Sequence, residues 1–136
     1  MIHEKFMDLP ILQGSTSTGA NSVALWSAPP KKPRIVVVGG DYARDTLTEK
    51  NCIYTTDGGK NWRHPDQPPH GYRSCVEFLT MDKLITCGTS GVDISDDGGN
   101  TWKLISSESF HVCQKSKKGK SIFLAGAKGR IAKLEQ

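Results

Sequence analysis

The sequence contains no long hydrophobic run. Its longest wholly apolar stretches, such as Ile35 to Val38, stop far short of the roughly 20 residues that a membrane-spanning helix requires. The first eight residues carry charges where a secretory signal has its apolar core, so we expect no export signal in this chain. The sequence therefore predicts a domain that folds in water without a membrane span.

Paired cysteine motifs are also missing. The four cysteines, Cys52, Cys75, Cys87 and Cys113, form no C-x-x-C pair, which disfavours zinc ribbons and thioredoxin-like redox sites. The last three have apolar neighbours, and a free buried cysteine behaves as a small hydrophobic residue. We therefore expect free buried thiols, with disulfides in an oxidising compartment as the alternative.

Acidic residues are scarce at the end of the chain. From Cys113 onward, seven lysines and arginines stand against Glu135 alone, although the net charge of the whole chain is only +4. Aromatic residues do not interleave with these cations, so the stacking surface of a single-strand binder is lacking. We interpret the cluster as a solvated turn and expect no nucleic-acid partner. It consists of Lys115, Lys117, Lys118 and Lys120.

Recognisable metal-ligand patterns are absent as well. The segment with Asp93, Asp96 and Asp97 has the wrong spacing for a calcium loop and lacks the bidentate glutamate. His70 and His111 have no evident third ligand for zinc. We therefore expect neither a metal nor a cofactor.

An internal repeat is the strongest pattern that the sequence does contain. Residues 53–62 align without gaps with residues 93–102, which places Trp62 and Trp102 40 residues apart. Short β-branched runs end at Gly39, Gly88 and Gly126, and the last of these marks a third, degenerate copy. A period near 40 with short strands and glycine turns is typical of propeller blades, each a four-stranded antiparallel sheet. The sequence therefore predicts an all-β partial β-propeller of about three blades.

Both clear copies of the repeat carry the pattern [Ser/Thr]-x-Asp-x-Gly-x-[Thr/Asn]-Trp, which resembles the Asp-box, or BNR, repeat of sialidase-like propellers. In this pattern the aspartate accepts hydrogen bonds from the backbone of its own turn, and glycine supplies positive φ. We therefore expect these residues to stabilise the blades and not to bind a ligand. They are Thr55, Asp57, Gly59 and Trp62 in the first copy, and Ser95, Asp97, Gly99 and Trp102 in the second.

Several further stretches extend along nearly the whole chain: residues 10–15, 39–42, 71–76, 107–110 and 129–134. On these stretches the chain resembles the C-terminal part of photosystem II stability/assembly factor-like propellers, bacterial proteins often described by their BNR or YVTN repeats. Such relatives usually have more blades and are commonly exported. The resemblance implies a half-length or truncated member at the periplasm or cell surface. Most bacterial relatives make no photosystem, so it does not imply a role in assembling one.

Turn signals and β-branched content divide the single domain into blades. We place blade one at about 21–64, blade two at about 73–105 and blade three at about 110–134. The third blade then lacks a fourth strand. Residues 3–9 show imperfect strand-like alternation, and we predict that they pair with 130–134 to close it, either within one chain or from a neighbouring copy.

Candidate ligand-binding residues fall on one predicted face. In propellers, the loops from strand two to strand three and those from strand four to the next blade open around the central channel. Their mixture of aromatic and cationic side chains suits an acidic peptide or glycan. Tyr72 and Arg73 have an alternative interpretation as a blade-packing pair. The candidates are Tyr42, Arg44, His70, Tyr72, Arg73, His111, Lys128 and Arg130.

These motifs specify a fold more than a chemistry. We expect a non-enzymatic binding or assembly module for a protein or acidic glycan. A homo-oligomer is also expected, because three blades leave two apolar flanks open. One alternative is a sialidase-like glycoside hydrolase, which needs two carboxyl groups at one site. Members of the sialidase family also use three arginines to hold the substrate carboxylate, and this chain has only five arginines. The other alternative is a purely structural oligomerising fragment.

Overall fold

The computed structural model describes residues 3–135, and within them the chain forms ten strands and one short 3₁₀ turn at Ala127–Gly129. No helix in this described range is long and apolar enough to cross a membrane. The strands are β1 (Thr18–Trp26), β2 (Arg34–Asp41), β3 (Cys52–Thr55), β4 (Cys75–Phe78), β5 (Leu84–Gly88), β6 (Gly91–Ser95), β7 (Lys103–Ser106), β8 (Val112–Lys115), β9 (Ser121–Ala125) and β10 (Ile131–Glu135).

The strands form three antiparallel sheets that follow one another along the chain. The first sheet has the order β1-β2-β3, the second β4-β5-β6-β7 and the third β8-β9-β10. The first strand of each sheet lies next to the first strand of the following one, since β1 contacts β4 and β4 contacts β8. The sheets are therefore successive blades around one axis, which confirms the predicted all-β partial propeller.

Apolar side chains fill the space between blades one and two. Val36 and Tyr54 of blade one pack against Val76, Phe78 and Trp102 of blade two, and all five are buried. These residues alternate with side chains that point to the opposite face of their sheets, as a strand period of two requires. Burial between blades thus explains why the strands are apolar on both faces.

The space between blades two and three is filled in the same way. Ile85, Cys87 and Val92 pack against Cys113 and Leu124. Each of the four cysteines is free, and three of them, with Cys75 half-buried as the exception, are buried. Burial of Cys52, Cys87 and Cys113 agrees with the expected role as small apolar side chains, whereas Cys75 is less buried than expected.

The aspartate of each repeat organises the turn that follows the third strand of its blade. In blade two, the backbone N–H groups of Asn100 and Thr101 donate to Asp97 Oδ1 at 3.1 and 2.8 Å. The Gly99 N–H donates to Ser95 Oγ at 2.9 Å, and Trp102 Nε1 donates to the Gly99 carbonyl at 2.9 Å. Gly99 has φ = 104°, a region that favours glycine. The turn therefore holds Trp102 over its own backbone.

The turn of blade one repeats this arrangement. Asp57 Oδ1 accepts from the Asn61 N–H at 2.9 Å, and Asn61 Nδ2 donates to Asp57 Oδ2 at 2.8 Å. Thr55 Oγ1 donates to Asp57 Oδ1 at 2.7 Å and accepts from the Gly59 N–H at 3.2 Å. Asn61 thus replaces the threonine of the second copy without loss of the side-chain hydrogen bond.

Acid should destabilise the blades through these two turns. The Asn61 backbone N–H and the Thr55 hydroxyl hold the pKa of Asp57 far below its ordinary range. Burial opposes a lower pKa at Asp97, but hydrogen bonds from Thr101 outweigh it, and the pKa of this carboxyl is also lowered. A carboxyl group whose pKa is lower in the folded state than in the unfolded state stabilises the fold at pH values above the unfolded-state pKa. This stabilisation is lost as the pH falls through the folded-state pKa. We expect Asp57→Asn/Asp97→Asn to lower the thermal midpoint at neutral pH, with a difference from wild type that shrinks below pH ~4.

Thermal unfolding followed by circular dichroism between neutral and strongly acidic pH measures this dependence. The control is Asp96→Asn, because the Asp96 carboxylate faces Lys83 Nζ at 3.9 Å instead of the turn backbone. This control should keep the wild-type pH dependence. A double variant whose midpoint stays a constant distance from wild type at every pH would contradict the prediction.

The fourth strand of blade one is shorter than predicted. The sequence predicts four strands in each blade, whereas in place of this strand the structure contains a single bridge between Tyr54 and Arg63, with N···O distances of 3.0 and 2.8 Å. Pro65, Pro68 and Pro69 follow this bridge. Because proline has no N–H to donate to a ladder, the pairing ends there.

Residues 3–9 do not close blade three. Within the described range these residues form no strand, and the third sheet consists of three strands. Instead, Leu9 and Ile11 pack on Val37 and Ile53 of blade one. Burial of these two apolar side chains holds the segment at the other end of the molecule from β10. Ile2, with which the alternation in the sequence begins, lies outside the described residues.

Candidate functional site

One edge of the three blades is formed by loops that are joined to one another by hydrogen bonds. We call this edge the loop face; it comprises residues 42–50, 67–74, 89–90, 107–111 and 126–130. The Tyr72 N–H donates to the Asp45 carbonyl at 2.9 Å, and Ser90 Oγ donates to the same carbonyl at 2.5 Å. The Phe110 N–H donates to the Gly88 carbonyl at 3.1 Å. The segments that the sequence placed on one face are thus adjacent.

A buried ion pair lies under the centre of the loop face. Arg73 Nη2 and Nε both donate to Asp93 Oδ2, at 2.6 and 2.9 Å, and both side chains have no exposed surface. Arg73 Nη1 donates to the Tyr72 carbonyl at 2.8 Å and to Ser90 Oγ at 3.0 Å. Each charge therefore has the geometry and the additional hydrogen bonds that a buried pair requires.

Arg73 is consequently not a surface ligand residue. The sequence placed it among the binding candidates, but its guanidinium is enclosed, and the blade-packing alternative describes its position. The physical reason is Asp93: a carboxylate on β6 between apolar strands needs a buried cation. Arg73 supports the loop face from below.

His70 extends the buried pair to the surface. Its Nδ1 lies 2.6 Å from Asp93 Oδ1, and its backbone N–H donates to Asp93 Oδ2 at 3.1 Å. The imidazole remains partly exposed on the loop face. One ring nitrogen is therefore committed to Asp93, which fixes the orientation of the ring. In the described range no group of three potential ligands is arranged to hold a metal ion.

Asn51 fixes the segment that carries His70 and Tyr72. Its buried side-chain amide donates to the carbonyls of Pro69 and Gly71 at 2.9 and 2.8 Å. Among the described residues its Oδ1 has no hydrogen-bond partner. Asn51 directly precedes β3 of blade one, so this side chain ties the loop before blade two to blade one.

Two tyrosines, one exposed and one half-buried, form the aromatic part of the face. Tyr42 is 59% exposed, and its ring meets that of Tyr72 edge-on at a centroid distance of 6.2 Å. Burial raises the pKa of the Tyr72 hydroxyl, so it is a neutral hydrogen-bond donor at neutral pH. Arg44 stands beside them, with Nε 3.5 Å from Asp41 Oδ2 and 70% of its side chain exposed. The exposed Tyr42 and Arg44 therefore form one aromatic and cationic group with the half-buried Tyr72.

The remaining candidates belong to blade three. Arg130 forms an ion pair with Glu108 and lies over the Phe110 ring, with its guanidinium carbon 5.4 Å from the ring centroid. Lys128, in the left-handed region with φ = 63°, and His111 are exposed. Glu108 thus balances much of the Arg130 charge. The blade-three candidates form a group separate from the two tyrosines.

Sequence reasoning missed several residues that position the face, namely Asp93, Asn51, Asp45 and Ser90. One signal was available for Asp93. It follows Val92 and precedes Ile94 in a segment that was expected to be a strand with apolar neighbours on both sides. A carboxylate there needs a cationic partner, and Arg73 lies at the start of the same predicted blade.

Comparison with known proteins places the fold. No protein-family model matches the chain, and none of the curated proteins is similar to it. A solved structure of YCF48 bound to D1 peptide is similar, with a TM-score of 0.62 and 17% sequence identity. The match covers 95% of this chain and 44% of that one, so the chain spans less than half the length of YCF48 in that structure. At this identity the likeness concerns the fold alone, and it agrees with the blades described above: the chain is an all-β partial β-propeller.

Proposed function

We propose that this chain is a non-enzymatic binding module whose loop face takes an acidic segment of a protein partner. The observation that carries the proposal is the group formed by the exposed Tyr42 and Arg44 with the half-buried Tyr72. An arginine guanidinium binds carboxylates with two hydrogen bonds, and tyrosine rings supply contact area with few rotatable bonds. An acidic peptide matches both features.

The buried network below the face makes such binding more favourable. Arg73 donates to the Tyr72 carbonyl at 2.8 Å, and Asn51 donates to two further loop carbonyls at 2.9 and 2.8 Å. Asp93 accepts from the His70 backbone N–H at 3.1 Å. A surface that is already ordered loses little conformational entropy when a ligand binds. The face is therefore suited to an extended peptide, which has few fixed features of its own.

YCF48 supports a peptide over a glycan as the ligand class. That protein has a similar fold and was solved with a peptide bound. The acidic glycan that the sequence also allowed shares the carboxylate chemistry. Competition by a sialic-acid-bearing oligosaccharide for the same face would favour the glycan.

Fluorescence anisotropy with a labelled peptide of alternating glutamate and alanine tests the proposal. We expect binding that weakens with added salt. Arg44→Ala should raise the Kd about tenfold, which corresponds to ~1.4 kcal/mol. The matched control is Lys117→Ala, which also removes one positive charge but lies in the turn between β8 and β9, at the opposite end of the blade.

Two results would contradict the peptide proposal. One is equal loss of affinity in the Arg44 and Lys117 variants, which would indicate a non-specific charge effect. The other is equal binding of a peptide in which glutamine replaces every glutamate.

A glycoside hydrolase remains the enzymatic alternative and has less support. Burial raises the pKa of Glu77, which lies half-buried on β4. Glu108 is instead paired with Arg130 on the loop before β8. The two carboxyl groups belong to different local environments, whereas hydrolysis requires two that act on one bond. Turnover of a fluorogenic sialoside by the intact chain would favour the enzyme.

A homo-oligomer is part of the same proposal. The outward faces of blades one and three both carry exposed apolar side chains, among them Val23 and Ile131. Association that covers them is expected for a protein that folds in water. A structural fragment without a ligand would share this association but not the peptide binding.

A further inference from the structure

We propose that two copies of this chain join head to tail, with the outward face of blade three in one copy packed on the outward face of blade one in the other. This proposal rests on the proposed homo-oligomer and names its surfaces. We call the first surface the blade-one flank, formed by Val23, Leu25, Ile35 and Trp62. The second is the blade-three flank, formed by Val112, Phe123 and Ile131.

The blade-one flank is an apolar groove. Val23 is 64% exposed and Leu25 is 59% exposed, although both lie within a nine-residue strand. Residues 7–9 run along one side of this flank, and the groove between them and the sheet has a volume of about 450 Å³. Trp62 and Ile35 form its floor with Val37.

Residues of the blade-one flank occupy the positions that are buried one blade further on. Val23 pairs with Val37, and Val76 pairs with Thr86. Each of these partners lies two positions before the glycine that ends its run. By the same register, Leu25 corresponds to Phe78. Val76 and Phe78 are buried against blade one. Val23 and Leu25 therefore stand where a preceding blade would cover them.

The remaining residues of this flank follow the same correspondence. Ile35 and Leu84 each lie four residues before the glycine that ends their run, and Trp62 and Trp102 close the equivalent turns. Leu84 and Trp102 are buried between blades one and two. The whole blade-one flank thus has the composition of a surface that packs against a blade.

Residues of the blade-three flank correspond to residues of blade two that face blade three. Phe123 and Ile85 each lie three residues before a run-ending glycine, at Gly126 and Gly88 respectively. Ile131 pairs with Ala125, and Val92 pairs with Cys87. Each of these partners directly precedes the glycine that ends its run. Ile85 and Val92 are buried against blade three, whereas Ile131 is 71% exposed. Phe123 and Ile131 therefore stand where a following blade would cover them.

Each chain consequently carries both halves of the interface that it already makes twice internally. Blade three of one copy packed on blade one of another continues that established interface. Because the two surfaces differ, the contact is heterologous, and two copies close when the contact forms twice. The product is a closed ring of six blades in which both flanks are covered.

The mass in solution tests this proposal. Multi-angle light scattering of the full chain at micromolar concentration should give twice the 14.9 kDa of one chain. A monomer overturns the proposal. A broad distribution of larger species overturns it also, because it would show a contact that repeats without closure.

Variants on each flank distinguish head-to-tail pairing from other dimers. Val23→Asp and Ile131→Asp each change an exposed side chain, so each should keep the wild-type circular dichroism and yield monomers alone. Their equimolar mixture retains one intact pair of flanks and should recover dimer mass. A dimer that survives Ile131→Asp but not Val23→Asp overturns the proposal, since it would show that like flanks pair.

A matched control and a separate readout complete the experiment. Leu104→Asp changes an exposed apolar residue on β7, outside both flanks, and should leave the dimer intact. Anisotropy with the glutamate–alanine peptide is measured on the same samples. A wild-type chain that has dimer mass but does not bind the peptide would count against the loop-face proposal only.

Discussion

Replacement of Arg73 by methionine should lower the free energy of unfolding by about 3–5 kcal/mol. The change leaves the Asp93 carboxylate without its cation in a site where both side chains have no exposed surface. It also removes the donors to the Tyr72 carbonyl and Ser90 Oγ, which join two loops of the loop face. Urea unfolding followed by tryptophan fluorescence measures the loss.

Two further variants separate burial of charge from loss of packing. In Arg73→Met/Asp93→Leu neither charge remains, and we expect recovery of a large part of the lost stability. Arg34→Met breaks the exposed pair of Arg34 and Asp82, where the N···O distance is 3.1 Å, and should cost at most about 1 kcal/mol. Equal destabilisation by Arg73→Met and Arg34→Met would contradict the account of the buried pair.

Removal of the Trp102 side chain is expected to have a comparable effect. Trp102 is 2% exposed and packs between blades one and two with Tyr54 and Phe78. Trp102→Ala leaves a cavity there and deletes the hydrogen bond from Nε1 to the Gly99 carbonyl. Truncation of a buried aromatic residue costs about 3–5 kcal/mol. Differential scanning calorimetry should show a clear decrease in the thermal midpoint.

Trp62 provides the matched control, because it occupies the same position in the turn of blade one. It is only half-buried and lines the open groove of the blade-one flank. Both tryptophan variants are made in the Val23→Asp background, so that pairing of copies does not add to either value. Trp62→Ala should then cost less than Trp102→Ala. The reverse order would show that the two turns pack differently from the structure described here.

The blades were predictable from the sequence because the repeat is local. Asp57 and Asp97 bond to residues within four positions of themselves, so the pattern that forms each turn is visible as a short motif. The tryptophans then set the period of 40 residues. Within one blade, strand order follows chain order, so no long-range pairing had to be deduced.

Long-range contacts explain what the sequence did not reveal. Arg73 and Asp93 are 20 positions apart, the first in the loop before β4 and the second on β6, and no motif marks them as partners. Residues 3–9 were assigned to blade three by alternation alone, whereas packing of Leu9 and Ile11 on Val37 determines their place. The exposure of individual loop side chains depends on the same tertiary contacts. They leave Tyr42 exposed and bury Arg73.

The central claim of this account is that the loop face is the binding surface, and hydrogen exchange with bound peptide tests it most directly. Amide exchange is measured by mass spectrometry with and without the glutamate–alanine peptide. The account predicts slower exchange on binding in residues 42–50 and 67–74, with the turn at 116–120 unchanged. Protection confined to the turn at 116–120, or no protection at a saturating peptide concentration, would contradict it.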